Sequence, residues 1–250
     1  MLSKAKLKYI KSLQLKKYRM EEQCFIVEGE KGVAELIDSD FQITMIAATA
    51  EFSRAAAPAV ARLAKKGVEM IPCTEAELAA AGSLQTNQSA IAVVKMKPNE
   101  PPRLSGNEYA LVLDDIRDPG NLGTIIRTAD WYGIHVIIAS PSTADVYNPK
   151  TISATMGSFL RVHLFYTVLT DYLRNAPNLY GTFLKGSDLH SIRFAKGGFI
   201  VIGNESTGIS SAVEGLIHER IMIPRYGDAE SLNAGVATAI VLDNLRRSNK

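Results

Sequence analysis

Asp114-Asp115-Ile116-Arg117-Asp118-Pro119-Gly120-Asn121-Leu122-Gly123-Thr124-Ile125-Ile126-Arg127 is the stretch that decides the fold of this 250-residue chain. It follows an apolar run, 109–113, whose lack of alternation suits a strand in a parallel sheet covered on both faces. Pro119-Gly120 makes a turn, Asn121 stands where it can cap a helix, and 122–132 reads as that helix. In open α/β sheets ligands bind at the carboxyl ends of strands, so a polar, glycine-bearing loop in this place is a candidate site. Taken alone, the loop reads better as structure, with Asn121 only capping the helix and Arg127 only pairing with an acid such as Asp130.

The same unit recurs downstream. Runs 135–139, 179–184, 199–202 and 220–223 read as further strands, and 149–159, 168–174, 210–217 and 234–247 as helices. Two more loops follow apolar strands. Gly203-Asn204-Glu205-Ser206-Thr207-Gly208 brackets a carboxylate between glycines before a helix, without the Lys-Ser/Thr of a phosphate loop or the G-x-G-x-x-G of a dehydrogenase. Ile223-Pro224 through Ser231-Leu232-Asn233 leads into the last helix, where Ser231 or Asn233 can cap. That helix is apolar nearly all round, which predicts burial on more than one side and a second subunit against it.

Upstream, strands at 24–27, 43–48, 68–71 and 90–96 alternate with helices at 30–37, 54–65 and 75–81, a small α/β domain. It opens with a basic amphipathic helix over 2–19. Residues 1–20 carry seven basic side chains and no acid, leaving a body with 21 basic and 26 acidic residues, a distribution that draws polyanions. The Pro-rich stretch 97–108 reads as a linker. The expected division is therefore 1–96, a linker at 97–108, and 109–250.

Composition excludes several classes. Apolar runs are too short for a membrane span, and the lysine-bearing start has no apolar segment after it, so a cytoplasmic protein without a secretory signal is expected. Two cysteines, Cys24 and Cys73, make no disulfide framework, and four histidines show no metal-ligand spacing, so no metal is expected.

In combination and order, the three loops resemble the signature motifs of the SpoU (TrmH-like) family of RNA 2′-O-ribose methyltransferases, in the SPOUT superfamily. Asp118 to Arg127 is similar to its first motif, Gly203 to Gly208 to its second, and Ile223-Pro224 with Ser231 to Ala237 to its third. Ala234-Gly235 departs from the Val-Ser of many members. Asn148 to Gly157 is similar to the segment between the first two motifs. Lys16-Lys17-Tyr18-Arg19 and Phe25 to Glu30 are similar to the start of the family's small substrate-binding domain.

The resemblance implies an α/β fold with a mostly parallel sheet and a deep trefoil knot, behind a small L30e-like α/β domain, working as a homodimer. It implies S-adenosylmethionine as cofactor and structured RNA as substrate, ribosomal RNA before transfer RNA. Arg127 is then the catalytic residue, helped by Asn121, Glu205, Ser231 and Asn233. A guanidinium stays protonated, so its expected work is to grip an RNA phosphate and stabilise charge on the 2′-oxygen. Gly203, Asn204, Ile223, Pro224, Leu232 and Ala237 are the implied cofactor contacts. Lys16, Lys17, Arg19 and Glu28 are the implied RNA contacts.

Overall fold

The computed structural model describes residues 1–83, 87 and 89–248. In chain order the elements are α1 (Lys4–Ser12), α2 (Lys16–Glu22), β1 (Cys24–Glu28), α3 (Glu30–Ile37), β2 (Ile43–Ala48), α4 (Ala50–Ala55), α5 (Ala57–Lys65), β3 (Glu69–Pro72), α6 (Glu75–Ala81) and β4 (Ala90–Lys95). There follow β5 (Tyr109–Asp114), α7 (Pro119–Trp131), β6 (Val136–Ala139), α8 (Pro149–Thr155), β7 (His163–Tyr166), α9 (Leu169–Leu173), β8 (Leu179–Asp188), β9 (Gly198–Gly203), α10 (Ser211–Glu214), β10 (Glu219–Met222) and α11 (Ala234–Ser248). The chain forms two units, one of Met1–Pro98 with Tyr147–Leu160, the other of Asn99–Val146 with Arg161–Lys250.

In the first unit four strands lie in the order β1-β4-β2-β3, antiparallel except for β2 beside β3. Side chains alternate across a strand, and here both faces are apolar. Phe25 and Val27 point into a core with Leu36 of α3 and Leu63 of α5, while Cys24 and Ile26 meet Ile10 of α1 and Leu78 of α6. The segment 147–160, expected in the second domain, belongs here. Ile152 of α8 and Phe159 enter the Phe25 core, and the Phe25 ring lies 4.5 Å from that of Tyr147.

The expected single helix over 2–19 is two helices. Arg19, expected at the surface as an RNA contact, is 1% exposed. Its Nη1 donates to the carbonyls of Leu13 and Gln14, at 3.0 and 2.8 Å. These groups lie in the break between α1 and α2, so the buried guanidinium serves the break and does not face phosphate. The expected helix over 54–65 is likewise divided, with Ala56 between α4 and α5.

In the second unit six strands run parallel in the order β10-β8-β9-β5-β6-β7. Leu111, Leu113, Ile200 and Ile202 face α7 and α11, whereas Val112 and Val201 face Leu173 of α9 and Val213 of α10. Both faces are covered, as the unbroken apolar runs predict. The four-residue strand β7 carries no periodic signal in the sequence. Asn99, expected in a linker, is bonded to its edge: Asn99 Nδ2 donates to the Tyr166 carbonyl and the Tyr166 amide donates to Asn99 Oδ1, both at 2.9 Å. No helix among the described residues is long and apolar enough to cross a membrane.

Candidate active site

β5 and β9 are neighbours, with Asp114 opposite Gly203, so the loops that leave them start side by side. The first loop turns into α7. Asp118, not Asn121, caps this helix, its carboxylate accepting the Asn121 amide at 2.8 Å, and Pro119 takes the first helical position. Proline fits there because its fixed φ suits a helix and its missing N–H would have no helical partner. Capping by Asp118 frees the Asn121 side chain for other work.

The second loop doubles back on itself. Asn204 and Gly208 exchange backbone hydrogen bonds, and Asn204 Oδ1 accepts the amides of Ser206 and Thr207. A Cβ on Gly203 would lie 2.3 Å from the Gly208 backbone, so only glycine admits this turn. The loop presents Glu205, and Asn121 Nδ2 donates to Glu205 Oε1.

The third loop ends at Asn233, which caps α11: Oδ1 accepts the amides of Gly235 and Val236 at 3.0 and 3.3 Å. Asn233 Nδ2 donates to Asn121 Oδ1 at 2.8 Å. Glu205, Asn121, Asn233 and the start of α11 thus form one hydrogen-bonded line through all three loops. The departure at Gly235 has a reason in packing, because a Cβ there would lie 2.9 Å from Thr124 Cγ2 on α7.

Other expected residues stay outside this line. Arg127 is exposed on α7 and makes no hydrogen bond or ion pair among the described residues. Asp130 pairs with Arg161 instead. Six residues beyond Asn121, Arg127 points about 120° away round the helix. It shares its face with Thr124 and with Trp131, which is 84% exposed. Ser231 and Leu232 are exposed, and Ile223, Pro224 and Ala237 are half-buried. Lys16 and Lys17 are exposed on α2, while the Glu28 carboxylate accepts the amide and hydroxyl of Ser83. No cluster of His, Cys, Asp and Glu suited to a metal ion is present among the described residues.

Asp114 and Asp115 were not singled out from sequence, although they stand at the end of β5. The Arg117 guanidinium, bonded to Asp115, holds that carboxyl below the usual carboxylate range. Their adjacency to a site loop was the available signal.

Residues 108–243 match the model of the SpoU rRNA Methylase family, and residues 4–92 that of the MRM3-like substrate binding domain. The chain belongs to the SpoU rRNA methylase family. It is 31% identical over 246 residues to the 23S rRNA guanosine 2′-O-methyltransferase RlmP of Bacillus subtilis, covering 96% of each chain. A TrmH-family structure from Porphyromonas gingivalis superposes with a TM-score of 0.87 at 34% identity, covering 99% of each chain. The AdoMet-bound rRNA methyltransferase of Sinorhizobium meliloti gives 0.90 at 28% identity, covering 99% of this chain and 97% of that one.

Proposed function

We propose that this chain transfers a methyl group from S-adenosylmethionine to a ribose 2′-oxygen of ribosomal RNA, as a cytoplasmic homodimer with a knotted catalytic unit. The observation that carries the reading is the line Glu205–Asn121–Asn233, which joins the loops that leave β5 and β9 to the loop that leads from β10 into α11. The relatives named for rRNA 2′-O-methylation and for bound AdoMet support the substrate and cofactor.

The residues suit an adenosine-bearing cofactor. Leu232 is 44% exposed and Ile223, Pro224 and Ala237 are half-buried, giving apolar surface for a purine, and Gly203 keeps the adjoining turn tight. Bound there, S-adenosylmethionine supplies an already activated methyl group. The chain must supply alignment and charge stabilisation. Asn121 fixes one oxygen of Glu205 and leaves Oε2 to accept from the ribose hydroxyl. Arg127, without a partner among the described residues, grips the RNA phosphate and stabilises charge on the 2′-oxygen. Because Arg127 faces away from Asn121, a second copy brings its face to the site, and exposed Trp131 and Val236 fit such an interface. Lys4, Lys8, Lys11, Lys16 and Lys17 are exposed on α1 and α2 and supply RNA phosphate contacts.

Mapping 2′-O-methyl positions in total RNA with and without the gene tests the proposal. One ribosomal position should lose its methyl group, and unchanged ribosomal RNA would contradict the substrate.

A further inference from the structure

Two consecutive aspartates at the end of β5 hold the Glu205 loop from either side. Asp114 is 5% exposed, and its Oδ2 accepts the Ser210 amide at 2.8 Å. The Asp115 carbonyl accepts from Asn204 Nδ2 at 2.8 Å, and Asp115 Oδ2 lies 3.3 Å from the same donor. Asn204 precedes Glu205 and Ser210 follows the loop, so the two fastenings bracket the carboxylate. Between them the loop is stiffened by the Asn204–Gly208 pairing and by Asn204 Oδ1. Its placement on the sheet is therefore set where it meets β5.

Asp115 is itself held in place. Its φ is 63°, a left-handed conformation that Asp tolerates better than most residues. Its amide donates to Ser140 Oγ at 2.9 Å, and its Oδ1 accepts from Arg117 Nε at 2.9 Å. Ser140 Oγ lies 3.0 Å from Thr143 Oγ1, which donates to the Leu113 carbonyl on β5.

We propose that Asp114 and Asp115 are positioning residues for methyl transfer: they fasten the 203–208 loop to β5 and so set where the Glu205 carboxylate sits against Asn121. The inference rests on the reading of Glu205 as part of the active site. Misplacement of a reacting group by about 1 Å can cost about a hundredfold in rate, so a latch this close to the carboxylate is felt in turnover.

The test uses the full chain with S-adenosylmethionine and ribosomal RNA. Asp115→Gly keeps the left-handed backbone and the carbonyl acceptor while removing the carboxylate, and Asp114→Ala removes the acceptor for Ser210. Asp114→Ala should lower kcat by about ten- to a hundredfold, and Asp115→Gly, which retains the 2.8 Å carbonyl bond to Asn204, by less, with KM for S-adenosylmethionine little changed. Asp115→Asn and Asp114→Asn keep a side-chain acceptor and should recover most of the rate. In a Glu205→Gln background neither Asp115→Gly nor Asp114→Ala should add a further loss, because residues acting through one group are not additive. Wild-type kcat in Asp114→Ala, or losses that multiply in the Glu205→Gln background, would overturn the latch. Should Asp114→Ala fail to fold, Asn204→Asp decides alone, because it removes the donor to Asp115 and keeps the Oδ1 acceptor for Ser206 and Thr207. Wild-type turnover in Glu205→Gln by itself would instead remove Glu205 from the site, and the latch with it.

Discussion

Asn233 Nδ2 donates to Asn121 Oδ1 at 2.8 Å, joining two loops 112 positions apart in the chain. The same side chain caps α11 through its Oδ1, and the two roles separate by substitution. Asp at position 233 keeps the cap, and its charge suits a helix N-terminus, but it has no donor for Asn121. Asn233→Asp should therefore melt near the wild-type temperature and lose methylation. Asn233→Ala should lose methylation and about 1 kcal/mol of stability as well. Calorimetry and single-turnover methylation on both variants check this, and full activity in Asn233→Asp would break the line as an account of the site.

Arg127 offers a cleaner separation. It is exposed and makes no ion pair among the described residues, so Arg127→Ala should leave the melting temperature and cofactor affinity unchanged. Turnover should fall about 10²–10³-fold, the effect of losing one oxyanion donor. Arg127→Lys should rescue poorly, because an ammonium lacks the planar fork. Normal turnover in Arg127→Ala would exclude the residue from the mechanism.

The basic start of the chain has two kinds of cation. Lys16→Ala with Lys17→Ala should weaken RNA binding and flatten its salt dependence by about two charges, without loss of stability. Arg19→Ala should instead cost about 1–3 kcal/mol, because it strips donors from the carbonyls of Leu13 and Gln14. Filter binding across a salt series, with melting curves, distinguishes them. An unaltered salt slope in the double lysine variant would remove α2 from the RNA interface.

Trp131 and Val236 are exposed apolar side chains on α7 and α11. Ultracentrifugation at micromolar concentration should give a dimer, and Trp131→Glu should shift it toward monomer. A monomeric wild-type protein would refute the dimer.

Much of this was legible in sequence because the governing signals are local. The apolar runs at β5 and β9 announce a covered parallel sheet, and Asn121, Glu205 and Asn233 stand in loops that such a sheet brings together. What was missed depends on distant partners. The break between α1 and α2 has no proline or glycine to mark it, and Arg19 reaches back to it from the next helix. β7 is four residues long and incompletely buried, too short for a periodic signal. Asn121 was read as a cap because asparagine favours that position, but Asp118 before Pro119 has the better place. The membership of 147–160 in the first unit follows from Ile152 and Phe159 entering a core formed by residues between Phe25 and Val94, far earlier in the chain.

The most direct test of the central claim is the chemical identity of the product. The full chain is incubated with methyl-labelled S-adenosylmethionine and ribosomal RNA lacking its modification, and the RNA is digested to nucleosides for mass spectrometry. The account predicts a single labelled 2′-O-methylnucleoside, formed far more slowly with Arg127→Ala and with Glu205→Gln. Label on a base, or no label with a folded, cofactor-binding protein, would contradict it.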